Sequence, residues 1–196
     1  GAFANCTGLY VLLLNRSLQE IGAYAFYGCS TLDNNSLDGN SIIPQSVKRI
    51  GAYAFMQTML WGKPENNIIY AGNWVVGFAE NAKLGAAELK DSVVGIADNA
   101  FFQCGTLTSL KNLSKCAYIG TAFYECTALE TVSLNPRLET VEAYTFYKCK
   151  SLFRVSIPTM LRSVGRSAFY GCSNLKTLDF SESAVFASVG DFAFYG

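Results

Sequence analysis

A phenylalanine preceded by a small residue recurs along this chain at a nearly constant interval, and that interval limits the folds open to it more than any other feature. The landmark falls at Phe3, Phe26, Phe55, Phe101, Phe123, Phe146, Phe169 and Phe194, in steps of 23, 29, 46, 22, 23, 23 and 25 residues. The longest step is two periods, and Phe78 stands at its midpoint, so a degenerate unit fills it. Fixed self-similarity of this length marks a stack of structural units, each too small to bury its own apolar face.

Other positions keep the same phase. Three residues after the landmark comes Cys (Cys6, Cys29, Cys104, Cys126, Cys149, Cys172), and six after comes Leu (Leu9, Leu32, Leu107, Leu129, Leu152, Leu175). Further apolar residues follow at nine and eleven, as in Val132/Leu134 and Val155/Ile157. A second apolar pair closes the unit, as in Leu18/Ile21, Val47/Ile50, Leu138/Val141 and Leu161/Val164. This L-x-x-L-x-L line at a period near 23 is that of a leucine-rich repeat. Alternation in "ETVSL" and "FRVSI" turns Val, Leu and Ile inward and Thr, Ser and Arg outward. The six-residue run "LYVLLL", Leu9 to Leu14, is a strand candidate and far short of the roughly twenty residues of a membrane span.

The units "SVKRIGAYAF", "RLETVEAYTFYKCKSLFRVSIP" and "LRSVGRSAFYGCSNLKTLDF" resemble the BspA-type, or Treponema pallidum type, leucine-rich repeat. The resemblance covers nearly the whole chain and implies surface-exposed or secreted proteins of host-associated bacteria and some parasitic protists. Adhesion to host proteins or to other microbes is the role it implies. The predicted fold is an α/β right-handed solenoid of about 8–9 units of ~23 residues. It is curved, with a parallel sheet on the concave face and short helical or turn segments on the convex face. All 196 residues are read as one domain, a segment of a longer protein with an irregular unit at 56–83. Because neither end reads as a polar cap, end-to-end association is expected.

Two features interrupt or decorate the pattern. Between Phe55 and Phe101, "IIYAGNWVVGF" reads as two β-rich runs about a Gly72-Asn73 turn. It is either a protruding hairpin that offers Tyr70, Asn73 and Trp74 to a partner, or a repacking in which Trp61 and Trp74 close a gap in the core. The cysteines keep the repeat's phase, which favours small core side chains donating to backbone over disulfides, although adjacent coils would bring them within bridging range. Cys116 joins the core as well, at the position of Leu18, Val47 and Leu138, once the one-residue deletion in "IGTAF" is restored.

Chemistry is sparse. The chain has no His, so Ser-His-Asp and Cys-His nucleophiles and His-containing metal sites are not available to it. No C-x-x-C pair, G-x-G-x-x-G or Walker sequence occurs, and no catalytic, metal or cofactor residue is assigned. Fifteen basic and fifteen acidic residues without runs of either sign exclude the footprint of a nucleic-acid binder. No small-molecule substrate is evident. The expected activity is non-enzymatic binding of a protein partner at the cell surface or outside the cell, with a ligand-free structural spacer as the alternative. The predicted contact residues are the outward strand positions of the concave face, eight and ten residues after the landmark: Ser109, Lys111, Thr131, Ser133, Arg154, Ser156, Thr177 and Asp179, with Asn34 and Ser36 in an earlier unit.

Overall fold

The computed structural model describes residues 1–34, 42–179 and 187–196. Its strands, in chain order, are β1 (Glu20–Ile21), β2 (Arg49–Ile50), β3 (Ile68–Ala71), β4 (Trp74–Phe78), β5 (Gly85–Glu88), β6 (Gly95–Ile96) and β7 (Leu107–Lys111). They continue with β8 (Tyr118–Ile119), β9 (Thr131–Ser133), β10 (Thr140–Val141), β11 (Arg154–Ser156), β12 (Ser163–Val164), β13 (Thr177–Asp179) and β14 (Ser188–Val189). The chain winds as a parallel-strand solenoid held by three ladders. A main sheet joins β5, β7, β9, β11 and β13 in parallel. A flank ladder of short strands, two residues long except for β4, is split into β1-β2, β4-β6-β8 and β10-β12-β14. The third ladder runs through the landmark segments.

In that third ladder the expected helical or turn segments are turns and not helix. In "IGAYAFYGC", alternate amides bond within the coil and across it. Ala25, Tyr27 and Cys29 donate to Gly22, Tyr24 and Phe26, three residues back, at 3.2–3.3 Å. Tyr24, Phe26 and Gly28 donate to Ala52, Ala54 and Met56 of the next coil at 2.8–3.0 Å. Such alternation needs a left-handed residue at each across-coil turn, and the structure places one two residues before the landmark (Tyr24, Tyr53, Tyr144 and Ser167, φ 52–60°) and another two after it (Gly28, Lys148 and Gly171, φ 54–70°). An α-helix does not tolerate left-handed residues four apart, so the segment is a ladder of stacked turns. The only helical turns among the described residues are the 3-10 segments Met59–Gly62 and Leu113–Lys115.

The core follows the repeat phase. Phe26, Phe55, Phe101, Phe123, Phe146 and Phe169 are at most 2% exposed and stack along the axis, with centroids 5.1–5.5 Å apart in the regular coils. Phe78 joins the column against Phe101 at 6.2 Å. The main sheet has five strands rather than one for each landmark, so a uniform array of eight or nine equal units is not what the described residues show. Leu9 to Leu14 carries no strand; Leu12 is buried while Tyr10 and Leu13 are 68% and 67% exposed. Ser36, in the coil beside it, lies outside the described residues.

Cysteine supplies a bond that Leu or Ala would not. The thiols of Cys29, Cys126, Cys149 and Cys172 donate to the carbonyls of Phe3, Phe101, Phe123 and Phe146, one coil back, at 3.0–3.1 Å. All seven cysteines are free thiols, and all but Cys6 are buried, Cys116 included. Burial pushes the Cys116 and Cys172 thiols up to about 12 and raises those of Cys126 and Cys149 further. Thiolate is the reactive form. Alkylation of the native protein at pH 8 is therefore expected to modify Cys6 within minutes and to reach the six buried thiols only after denaturation; mass spectrometry of intact protein over time checks it, and rapid labelling of several thiols would contradict the burial.

Candidate functional site

The main sheet collects the expected contact residues from Ser109 to Asp179, but neither Asn34, which lies elsewhere, nor Ser36, which is outside the described residues. Pairing registers Ala86, Ser109, Thr131, Arg154 and Thr177 in one file across five strands. A second file begins Glu88 and Lys111 on β5 and β7, and includes Ser133, Ser156 and Asp179 on β9, β11 and β13. Between them the buried positions Ala87, Leu110, Val132 and Val155 point to the core, because successive side chains on a strand alternate faces. Lys111, Ser133, Arg154 and Thr177 are exposed, and Ser109, Thr131 and Ser156 are half-buried. Phe153, 38% exposed, adds an apolar contact one residue before Arg154.

Ala86 and Glu88 belong to this face and were not among the expected residues. Their coil carries Phe78 in place of a full landmark motif and stands outside the count, although eight and ten residues after Phe78 fall on Ala86 and Glu88. The sequence "LGAAELK" did carry an apolar-polar alternation that would have found β5. Asn34 is drawn away from the face: its amide donates to the Tyr70 carbonyl at 3.1 Å and its side-chain oxygen accepts from the Gly72 amide at 2.9 Å.

Those bonds tie down the hairpin. β3 and β4 pair antiparallel about Gly72-Asn73, but the hairpin lies inside the stack and presents no aromatic surface. Tyr70 and Trp74 are only 5% and 3% exposed, and Asn73 is half-buried, so the protruding reading is corrected. The reason is two glycines. The Trp74 ring fills the space over Gly95, where a Cβ would come within 2.4 Å of it, and Trp61 does the same over Gly77 at 2.7 Å. β4 then takes a flank-ladder position beside β6, with Trp74 opposite Gly95.

Beside the hairpin lies an open recess of about 1080 Å³. Trp74, Val94 and Tyr118 line it, with Arg16, Lys48 and Arg137 among its charged groups. Beside it, buried Asp98 accepts from Arg49 Nη2 at 2.9 Å and from the Tyr118 hydroxyl at 2.7 Å. Burial, then the Asp98 contact, raises the Tyr118 phenol, and the Asp98 hydrogen bond raises Arg49. Each partner favours the protonated donor beside a carboxylate, which makes this a compensated structural cluster. No group of three or more Cys, Asp and Glu side chains among the described residues is arranged to hold a metal ion.

The family profile of the BspA type leucine rich repeat region, defined as six copies, matches residues 1–62, 35–122 and 95–196. The chain belongs to the BspA-type leucine-rich repeat family. No curated protein sequence matches it. Solved structures share the solenoid. The pneumococcal vaccine antigen PcpA superposes with a TM-score of 0.59 at 18% identity, covering 95% of this chain and 55% of its own. A leucine rich cell surface protein of Faecalibacterium prausnitzii A2-165 gives 0.56 at 19%, covering 95% and 65%. A leucine-rich repeat protein of Eubacterium ventriosum gives 0.53 at 21%, covering 96% and 43%. At these identities the likeness is one of fold, and the BspA-type chain spans less than two thirds of the length of each. Among the described residues no helix is long and apolar enough to cross a membrane.

Proposed function

We propose that this BspA-type chain is a non-enzymatic binding module of a longer extracellular or surface protein, and that it engages a protein partner through the outward face of the main sheet. The observation that carries the reading is the arrangement of that face. Five parallel strands fix two files of mostly short polar residues around Lys111 and Arg154. Solenoids of this kind use such extended faces for binding. The surface location of the Faecalibacterium protein and the antigen status of PcpA support exposure to partners outside the cell.

The test is binding of the purified chain to immobilised matrix proteins and mucins, beside a Lys111→Glu/Ser133→Glu variant whose urea unfolding matches the parent. Both substitutions sit at exposed strand positions, where changes cost within about 0.5 kcal/mol. A tenfold or greater loss of affinity in the variant is expected. Equal binding by both proteins would move the site off the sheet, and no binding by either would favour a spacer.

A further inference from the structure

The residues that follow the last five landmarks form a second aromatic column on the outside of the solenoid. Phe102, Tyr124, Tyr147, Tyr170 and Tyr195 stack coil upon coil, with centroids 5.2, 4.7, 5.1 and 5.2 Å apart and ring planes within 18° of parallel. Tyr124, Tyr147 and Tyr170 are half-buried and Tyr195 is 59% exposed, so solvent reaches the file. A polar chain beside it fixes the spacing: Gln103 donates to Glu125 at 2.9 Å, Lys148 reaches the same carboxylate at 3.4 Å, and the Lys148 ammonium lies 5.2 Å from the Tyr147 ring.

Parallel phenols in register at this distance are poised for one reaction that scattered tyrosines are not. We propose that Tyr124, Tyr147, Tyr170 and Tyr195 form an oxidative cross-linking site, at which a peroxidase acting with hydrogen peroxide joins neighbouring coils through intrachain dityrosine bonds. Peroxide takes one hydrogen atom from each of two adjacent phenols and is reduced to two waters. The two tyrosyl radicals couple through a carbon–carbon bond between ring positions ortho to oxygen, and the ring hydrogens shift to the oxygens as aromaticity returns. Each bond therefore removes two hydrogens from the protein. Stacking holds the ring faces of neighbours over one another and near parallel, whereas the edge-on pairs Tyr24/Tyr27 and Tyr144/Tyr147, 5.8 Å apart at 64° and 66°, meet at steep angles.

The test treats dilute protein with horseradish peroxidase and hydrogen peroxide, isolates the monomer by size exclusion, and maps cross-linked peptides by mass spectrometry. Peptides joining Tyr124 to Tyr147, Tyr147 to Tyr170 and Tyr170 to Tyr195 are expected in the monomer, each pair lighter by two hydrogens, and the urea midpoint of that monomer shifts upward. Tyr147→Phe keeps the stack, as Phe102 does on Tyr124. In that variant only the Tyr170–Tyr195 bond should remain. Dityrosine confined to dimers, equal coupling of the edge-on pairs, an unchanged pattern in the variant, or no coupling while free N-acetyltyrosine dimerises in the same tube would each overturn the proposal.

Discussion

Phe123→Ala is expected to lower stability by about 3–5 kcal/mol, the usual cost of emptying a buried phenylalanine site. Phe123 is fully buried and lies between Phe101 at 5.5 Å and Phe146 at 5.3 Å, with both ring pairs within 5° of parallel. Removing it leaves a gap that neither neighbour can fill, because each is fixed by the backbone ladder of its own coil. Its carbonyl also accepts the Cys149 thiol, so any collapse of the coil costs a second contact. Phe3 occupies the equivalent place at the first coil but is 48% exposed, and Phe3→Ala should cost less than half as much. Urea titrations followed by circular dichroism measure both; equal losses would mean that the aromatic column does not behave as a continuous core.

Gly165→Ala tests the closeness of the coils. A Cβ there would stand 2.3 Å from the Ala143 amide nitrogen and 2.7 Å from its Cα, and backbone cannot move aside as a flexible side chain can. The coil must lift, stretching the 2.8 Å bond from the Gly165 amide to the Val141 carbonyl. An overpacking cost of about 1–3 kcal/mol is expected, and more for Gly165→Val. Gly22 holds the same place four residues before Phe26, where nothing lies within 4 Å of a built Cβ, so Gly22→Ala should change stability by no more than about 0.5 kcal/mol. The two variants share their local propensity change, and their difference isolates the contact with the preceding coil. Thermal unfolding at one scan rate, with reversibility checked, gives that difference directly.

Buried periodic positions were the legible part of this chain. The landmark Phe, the Cys three residues on and the apolar strand residues could be read because one geometry repeats and each position has a single environment. The landmark segments were harder. Left-handed backbone falls on Tyr53, Ser167 and Lys148 as readily as on Gly28, so composition does not reveal it, and the bonds that compensate its cost come from the next coil. The hairpin's depth was hidden for a similar reason. Gly77 and Gly95 signalled close approach of another group, but only the fold shows that the groups are Trp61 and Trp74. The tyrosine file was open to view in the repeated "AFY" and "TFY", and its meaning depends on an axial spacing that sequence does not state.

One irregularity bears on how such a rod comes apart. The segment "IGTAF", Ile119 to Phe123, is one residue short, and β8 just before it is unpaired with β10, although the main sheet crosses the same boundary through β7 and β9 and the turn ladder crosses it through Phe123 and Glu125. In a quasi-one-dimensional array, stability is a sum of coil terms and nearest-neighbour interface terms, and this interface lacks one of its three contributions. The flank ladder is broken a second time between β2 and β4, ahead of the first main-sheet strand, so a pulling force or a denaturant should find these two seams before the regular interfaces, and the segments they separate should unfold with midpoints of their own.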